Sequence, residues 1–274
     1  MYSGIPTESD YKKLITSRKY LELDNFSVQF LEKNKPDLSS YASKWVSNPL
    51  RQWSRKWEYP YVFDQASSVL DKKSSAVILD AGSGVSFFPY YILSKYPDAR
   101  VHCADYDSKL LDVYAGINQK SERKVQFKIS DLRELKYPDG MFDLIYCISV
   151  LEHTDSYPEI IKGFNRLLTP GGKLVVTFDV SLDGKRDVSP EKAKELLDTL
   201  SGTLNVDEEP LVEIDDVPGN LTTLVARDLD PDCLPWKAPA WLYRVHALVK
   251  GRGVVSWPPP LTVYCLSLTK KNNA

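Results

Sequence analysis

The sequence predicts an α/β fold built on a doubly wound, mostly parallel sheet with helices on its faces. Three observations indicate this class. Short apolar runs alternate with helix-like stretches between residues 76 and 179, polar residues follow the ends of these runs, and a glycine turn follows the first run. Because consecutive parallel strands need a crossover that is usually a helix, this alternation is typical of a doubly wound sheet.

Five apolar runs predict the strands of this core. They cover residues 76–80, 100–105, 125–131, 142–150 and 173–180. Helix-like stretches follow the first, second and fourth runs, at residues 87–96, 108–117 and 157–168. The segment TPGG (169–172) is expected to end the last of these helices and to turn the chain, since proline cannot continue a helix and glycine accepts positive φ.

Beyond residue 180 the pattern is less regular. Ser189 and Pro190 predict a helix that runs to about Leu200, with Ser189 as its N-cap and Pro190 in its first turn. A further strand is expected either at 210–214 or at 222–226. Residues 261–269 (LTVYCLSLT) predict a last, buried strand.

Two segments lie outside this alternation. Residues 1–70 are polar, helix-prone and aromatic, which predicts an N-terminal helical extension ahead of a second unit over 71–274. Within that unit, residues 228–260 are rich in proline and tryptophan and predict an insertion. Most aromatic side chains of both segments are expected to pack against the sheet.

The overall composition argues against several classes of protein. Lys and Arg number 35 and Asp and Glu 37, so the net charge of −2 gives no reason to expect a nucleic-acid partner. The first residues have no apolar core of a signal peptide, and no run approaches the roughly 18 apolar residues of a membrane span. We therefore expect a cytoplasmic protein without membrane insertion. The few histidines and the separated cysteines predict no metal site and four buried free thiols, namely Cys103, Cys147, Cys233 and Cys265.

The glycine turn after the first run can be compared with a dinucleotide fingerprint. Asp80 ends the run, and Gly82-Ser83-Gly84 follows. The dinucleotide motif needs a third glycine, for close packing of helix on strand, where this chain has Phe87. A nicotinamide oxidoreductase is therefore disfavoured, although Asp105 would suit ribose hydroxyls in either type of protein.

Acidic residues end each of the first strands. Asp80, Asp105 and Asp131 end the first three runs, and Glu152 and His153 follow the fourth. Because ligands of open parallel sheets bind outside the carboxyl ends of the strands, we expect these side chains to converge at one edge.

The motifs in this order resemble those of class I S-adenosylmethionine-dependent methyltransferases. DAGSG (80–84) resembles the first motif, VHCADYD (101–107) the second and ISDLREL (129–135) the third, while residues 142–179 resemble the fourth and fifth. The last stretch, with LEH and TPGG, is similar to the small-molecule branch that includes quinone-biosynthesis methyltransferases. The resemblance implies a seven-stranded, Rossmann-like methyltransferase sheet and S-adenosylmethionine as cofactor.

The resemblance also implies roles for single residues. Asp80 would lie near the methionyl ammonium, and the backbone of Gly82, Ser83 and Gly84 would approach the cofactor. Asp105 would accept both ribose hydroxyls. Three further residues would contact the adenine. Tyr106 would lie against its face, Asp131 would accept a hydrogen bond from its amino group, and the Leu132 N–H would donate to a ring nitrogen.

The acceptor side is less determined by the sequence. His153 is the candidate general base, with a bracing role as the alternative, and Glu152 would contact the cofactor or cap a helix. By the resemblance, residues 1–70 and 228–260 would cover the acceptor. The candidate substrate contacts in these segments are Arg55, Trp57, Tyr59 and Trp236. Packing of these side chains in a helical cap is the alternative.

The function expected from the resemblance is methyl transfer to a small molecule or a glycan, at a hydroxyl oxygen. A catalytically silent, methyltransferase-like binding protein is one alternative, and a nicotinamide-dependent oxidoreductase is another. A protein or nucleic-acid methyltransferase is disfavoured because the sequence has no basic face and no target-specific motif. The sequence does not predict the oligomeric state.

Overall fold

The computed structural model describes residues 1–42, 48–186, 188–209, 211–214, 218–235, 239–249 and 255–271. The strands are β1 (Val77–Ala81), β2 (Arg100–Asp105), β3 (Gln126–Ile129), β4 (Phe142–Ile148), β5 (Leu168–Ser181), β6 (Asn205–Val206) and β7 (Leu261–Thr269). The helices are α1 (Glu8–Ile15), α2 (Arg18–Lys33), α3 (Lys35–Ala42), α4 (Arg55–Leu70), α5 (Phe88–Lys95), α6 (Leu110–Lys120), α7 (Tyr157–Leu167), α8 (Pro190–Thr203), α9 (Thr223–Leu229) and α10 (Ala240–Val249).

Within the described residues, seven strands form one sheet in the order β3-β2-β1-β4-β5-β7-β6. Neighbouring strands from β3 to β5 are parallel, whereas β7 runs antiparallel to both β5 and β6. The order reverses at β1, which places the carboxyl ends of β1, β2 and β4 around one crevice. The prediction of a doubly wound, mostly parallel sheet of seven strands is confirmed.

Helices cover both faces of the sheet, because side chains alternate along each buried strand. Ile78 belongs to the core that includes Tyr61 of α4 and Phe87 before α5. Leu79, its neighbour in β1, belongs to the opposite core with residues of α7 and α8, including Phe164. The sheet is therefore buried on both sides, as the apolar runs predict.

The first 70 residues form the expected helical extension. Helices α1 to α4 pack on the face of the sheet that also carries α5 and α6. The Tyr11 hydroxyl of α1 donates to the Trp53 carbonyl just before α4 at 3.2 Å. Helix α4 lies across the sheet itself, since it contacts β4, β5 and β7.

Some predictions about single elements are corrected. A strand at 222–226 is wrong, because the Thr222 side chain accepts a hydrogen bond from the Val225 N–H and starts α9 there. Residues 211–214 form no strand, residue 210 lies outside the described residues, and the strand beside β7 is Asn205–Val206. The third run extends only over 126–129 as a strand.

The segment that follows α7 differs in one detail from expectation. The helix ends at Leu167 as predicted, but β5 already begins at Leu168. Leu168 pairs with Phe142, and after an irregularity Lys173 pairs with Leu144. The TPGG segment is therefore a bulge inside the strand region, with Gly171 at φ +71°.

The helix at 190–203 begins as the sequence predicts, because the Ser189 side chain accepts from the Lys192 N–H. All four cysteines are buried free thiols, also as predicted. Among the described residues, no helix is long and apolar enough to cross a membrane.

Candidate functional site

The glycine turn follows β1 at the carboxyl edge of the sheet. Gly82 and Gly84 have φ values of +74° and +48°, which side chains rarely accept. A Cβ atom on Gly82 would lie 2.6 Å from Cγ2 of Val150, in the loop after β4. The N–H groups of Gly82 and Ser83 donate to the Ala104 carbonyl at 2.8 and 3.1 Å. Glycine is thus required here by the backbone and by the loop packed over it.

Asp105 is fixed beside this turn by two backbone groups. Its Oδ2 atom accepts from the Gly84 N–H at 2.9 Å and its Oδ1 atom from the Asp107 N–H at 3.0 Å. A carboxylate has about four lone-pair positions, so each oxygen can still accept a further donor. Tyr106, the next residue, is 80% exposed. The carboxylate is therefore oriented in advance at an open edge.

Asp80 is a buried carboxyl group at the end of β1. Its Oδ2 atom accepts from the Tyr146 hydroxyl at 3.0 Å. Burial, together with the nearby Asp105 charge, raises the pKa of Asp80 to about 8. No ion pair within the described residues reaches Asp80. A cationic group placed here would restore the ionised form.

Asp131 lies at the end of β3, where it caps the short 3₁₀ turn Leu132–Glu134. The Arg133 side chain donates to both carboxylate oxygens, from Nε at 2.9 Å and from Nη2 at 2.5 Å. These bonds lower the pKa of Asp131 to about 2. The carboxylate is ionised at neutral pH and oriented, while Leu132 packs against the core below it.

A polar cluster joins α4 to the ends of β4 and β5. Glu58 is fully buried, and its Oε1 atom accepts from the Ser149 and Thr177 hydroxyls at 2.7 and 2.5 Å. Its Oε2 atom accepts from Nη1 of Arg55 at 2.6 Å, and the same Nη1 also donates to Ser149. Ser149 itself has φ +48°. Arg55 therefore sits at the carboxyl edge, but its charge is balanced by Glu58.

Sequence reasoning missed three members of this cluster: Glu58, Ser149 and Thr177. Arg55 and Glu58 are three residues apart on a helix, which is a spacing that allows an ion pair. That spacing was the available signal in the sequence. The surrounding aromatic residues indicate packing in a core, and the ion pair was therefore not predicted.

Glu152 and His153 follow β4 on one short 3₁₀ turn, Leu151–His153, and point to different environments. Glu152 is 6% exposed, and its Oε1 atom accepts from the Asp179 N–H at 3.5 Å. Its Oε2 atom is buried without a hydrogen-bond partner. Burial and the Asp179 charge raise the pKa of Glu152 well above its usual range. His153 is exposed, and its imidazole makes no hydrogen bond within the described residues.

Comparisons with known proteins agree with this geometry. Residues 79–176 match the family described as a methyltransferase domain. Phosphoethanolamine N-methyltransferase of Triticum aestivum is 30% identical over 119 residues, which is 43% of this chain and 23% of that protein. This match agrees with the glycine turn and the acidic strand ends. Residues 79–176 form a methyltransferase domain.

The match to curated relatives is partial. The matches to the first eight relatives span 22% to 47% of each relative's own length. Among solved structures, geranyl diphosphate C-methyltransferase from Streptomyces coelicolor has a TM-score of 0.52 at 11% identity, with 76% of each chain covered. The [4+2]-cyclase SpnF has a TM-score of 0.57 at 18% identity and covers 99% of this chain and 100% of its own. These two structures share the fold of the methyltransferase domain.

Two of the predicted substrate contacts are buried beside the methyltransferase domain. Trp57 is 3% exposed, and its ring centroid lies 6.1 Å from that of Tyr2. Tyr59 is 8% exposed and packs against Phe87 and Phe88 with centroid distances of 5.3 and 4.9 Å. Both side chains occupy the core between α4 and the sheet. Trp236 lies outside the described residues.

A cavity of about 610 Å³ lies at the opposite, amino-terminal edge of the sheet, between the end of α4 and the start of β5. Two of its three lysines are paired with carboxylates, with Lys73 2.9 Å from Asp143 and Lys173 3.0 Å from Asp207. Asp143 also accepts from the Val77 N–H at 2.9 Å. The cavity therefore belongs to the structural support of the strands and is remote from the glycine turn.

Proposed function

We propose that the protein transfers a methyl group from S-adenosylmethionine to a small-molecule acceptor. The observation that carries this proposal is the Asp105 carboxylate, which the Gly84 and Asp107 N–H groups hold in place beside a turn that only glycine fits. The methyltransferase domain at residues 79–176 and the methyltransferase names of its relatives support it.

The residues present suit this cofactor. The Asp105 oxygens have lone pairs left for two ribose hydroxyls, and the exposed ring of Tyr106 can lie along the adenine. Asp80 is a buried carboxyl without a cation, which the methionyl ammonium would supply. Asp131 and the Leu132 N–H would meet the adenine edge. When bound, the cofactor supplies an activated methyl group, so the protein's main contribution is to align the acceptor.

Helix α4 and residues 228–260 would cover the acceptor. Two contacts support this placement of the second segment over the carboxyl edge. Lys56 of α4 lies 2.7 Å from the Asp230 carboxylate, and Nε of Arg186, after β5, donates to the Tyr243 hydroxyl of α10 at 2.8 Å. We propose a hydroxyl oxygen as the methylated atom. A glycan as the acceptor and a cytoplasmic location remain predictions from the sequence.

A second candidate is a methyltransferase-like protein that binds its ligands without methyl transfer. The observation that favours it is the likeness to SpnF, which is named a cyclase. This likeness spans almost the whole chain. The two candidates share the cofactor site and differ in what happens at the acceptor edge.

Calorimetric titration with S-adenosylmethionine and with NADH tests the cofactor. We expect binding of the first and none of the second, and the reverse result would refute the proposal. A screen of small metabolites and sugars, read out as release of S-adenosylhomocysteine, then separates the two candidates. Bound cofactor with no methyl transfer to any acceptor would favour the binding protein.

A further inference from the structure

Three carboxylates and one guanidinium face each other where α4 crosses the ends of β4 and β5. The charges that Arg55 meets there are those of Glu58, Asp179 and Glu152, together with the Tyr59 hydroxyl. Glu58 takes the ion pair with Arg55 and the hydroxyls of Ser149 and Thr177. The charge of Arg55 is therefore balanced by Glu58.

The hydrogen bonds of the Glu152 carboxyl group are incomplete. Its Oε1 atom has one long contact, to the Asp179 N–H at 3.5 Å. Its Oε2 atom is buried and has no partner, in a residue that is 6% exposed. A buried carboxyl oxygen that is left without a donor is costly, so such a group is expected to receive a donor from a ligand.

The position of Glu152 is next to the proposed cofactor site. Val150, two residues earlier, lies directly over Gly82 of the glycine turn. Tyr59 of α4 lies near both Arg55 and Asp80, and its hydroxyl bonds the Ser86 side chain. Glu152 therefore follows the loop that covers the glycine turn, and its carboxyl group interacts with the charge of Arg55 on α4.

We propose that Glu152 is the acceptor-side base, which accepts the proton of a hydroxyl or amine group as that group is methylated. This inference rests on the proposed function and adds a catalytic residue and a class of acceptor to it. His153 does not take this role, because its imidazole is exposed on the other side of the same turn.

The step balances in atoms and charge. The proton of the acceptor's X–H bond moves to a Glu152 carboxylate oxygen, and the electron pair left on X forms the bond to the methyl carbon. The electron pair of the broken carbon–sulfur bond stays on sulfur, so the sulfonium becomes a neutral thioether. Glu152 changes from an anion to a neutral acid, and no further reactant is needed.

The same contacts predict which acceptors are rejected. A carboxylate or phosphate as the reacting group would bring no donor to the unpartnered Oε2 atom of Glu152, and the Arg55 guanidinium is already paired with Glu58. A hydroxyl or an amine donates a hydrogen bond to Glu152. Arg55 therefore holds α4 in place, and we do not assign it to an anionic acceptor.

The groups that face Glu152 also predict the direction of its pH response. Burial and the charges of Asp179 and Glu58 hold the pKa of Glu152 above its usual range, while Arg55 acts against them. Cys147, beneath it in β4, is a neutral buried thiol whose pKa is raised. The ionised base therefore becomes more abundant as pH rises, and the rate should rise with it.

The test replaces Glu152 by Gln, which keeps its size but accepts no proton. A panel of phenols, alcohols and primary and secondary amines, each with a matched carboxylic acid, is assayed for S-adenosylhomocysteine release. Mass spectrometry of the product tells oxygen from nitrogen. We expect turnover with X–H acceptors alone and a loss of about 100-fold or more in Glu152→Gln, the range of general-base catalysis. Glu152→Asp should recover part of the rate.

Two measurements do not depend on turnover. Calorimetry measures the affinity for S-adenosylhomocysteine, which should change by less than about threefold in Glu152→Gln. The substitution removes a general base and leaves cofactor binding intact. Infrared spectra in an Asp80→Asn background should contain a carboxylic-acid band that weakens as pH rises and that disappears when Glu152 is also replaced. Glu159→Gln, an exposed carboxylate at the start of α7, is the matched control and should leave rate, affinity and band unchanged.

The outcomes separate this inference from the proposed function. If methyl transfer is observed and Glu152→Gln keeps more than about a third of the rate, far from the loss expected of a general base, the inference is overturned and the function stands. Turnover confined to carboxylic acids, or a loss in His153→Gln with none in Glu152→Gln, overturns it as well. If S-adenosylmethionine does not bind, the proposed function fails and the inference fails with it.

Discussion

Replacement of Asp80 by Asn tests the cofactor site most directly, because the structure fixes both its charge and its surroundings. The carboxyl group is 5% exposed and has a pKa of about 8, and it accepts a hydrogen bond from the Tyr146 hydroxyl. Asn keeps the shape and can still accept that bond. What the substitution removes is the ability of the site to become negative when a cation binds.

The expected effect on affinity follows from the pKa. If an ammonium pairs with Asp80, the pKa of the bound carboxyl returns toward its ordinary value near 4. From about pH 5.5 to about pH 7, the ionised fraction of the free protein rises by roughly 30-fold. The affinity should rise by about the same factor, which corresponds to about 2 kcal/mol. If Asn behaves as the protonated carboxyl does, Asp80→Asn should lack this slope and bind roughly 30-fold more weakly near pH 5.5 and roughly 900-fold more weakly near pH 7.

Calorimetry in two buffers of different ionisation enthalpy measures the same linkage independently. Near pH 6.5 the free carboxyl is almost fully protonated, so binding of S-adenosylmethionine should release about one proton. Asp131→Asn is the matched control, because the pKa of Asp131 is already about 2. That variant should bind more weakly at every pH and retain both the slope and the proton release.

The stability of the free protein gives a third measure of the same carboxyl. Because the folded pKa of Asp80 lies above its unfolded value, the folded state holds more protons between pH 4 and 8. The free energy of unfolding should therefore fall as pH rises through this window, by at most about 5 kcal/mol. In Asp80→Asn the fall should be smaller, which urea unfolding at several pH values can measure. If the affinity of the wild type for S-adenosylmethionine does not change with pH and binding releases no proton, the pairing of Asp80 with an ammonium is refuted.

Three further substitutions test the remaining parts of the site, and a fourth, Gly163→Ala, is a control. Asp105→Ala should lower the affinity for S-adenosylmethionine by at least about tenfold, since each hydrogen bond to a charged group contributes about 1.5–3 kcal/mol; unchanged affinity in calorimetry would mean that the ribose contact is misplaced. Gly82→Ala should lower the free energy of unfolding by at least about 1–2 kcal/mol, because of its φ of +74° and the close side chain. Gly163→Ala, with open space around it in α7, should instead stabilise by about 0.5–1 kcal/mol. Glu58→Ala should cost about 3–5 kcal/mol in urea unfolding, because it removes the fully buried partner of Arg55 and of the Ser149 and Thr177 hydroxyls; a loss below about 1 kcal/mol would contradict the role of this pair in holding α4.

The cofactor side of the site was predictable because its signals are local in sequence. Asp80, Gly82 and Gly84 lie within one strand-to-turn segment, and the φ values of the two glycines are those that such a turn requires. Asp105 ends the neighbouring strand, so the parallel order of the sheet brings it to the same edge. Periodicity and turn chemistry together therefore specify this half of the site.

The acceptor side was not predictable in the same way, because its contacts join distant parts of the chain. Glu58 bonds Ser149 and Thr177, which lie 91 and 119 residues away. No local pattern specifies which helix crosses the ends of β4 and β5. The difference between Glu152 and His153 is similar, since adjacent residues of one 3₁₀ turn face opposite environments only after the turn has packed.

The error at 222–226 has a local cause. Thr222 is a β-branched residue in an apolar stretch, which indicates a strand, but its hydroxyl caps α9. A threonine at such a boundary favours either element, and the decision comes from tertiary packing. The strand that pairs with β7 instead has two residues, too few to produce a periodic signal.

The boundary of the family match separates the proposed cofactor side from part of the acceptor side, since Glu152 lies within the match. Asp80, Asp105, Asp131 and Glu152 lie within residues 79–176, whereas Glu58 and Asp179 lie outside that range. The relatives are named for different methyl acceptors. A domain that such enzymes share is expected to keep the groups that bind the common cofactor, while the acceptor is selected by elements that differ from one enzyme to another. The acceptors of the relatives are therefore poor guides to this chain, and so is the cyclase with the same overall fold. The acceptor has to be sought from the residues on α4, at the end of β5 and on the turn after β4, where the unpaired buried oxygen of Glu152 favours a ligand that can donate a proton.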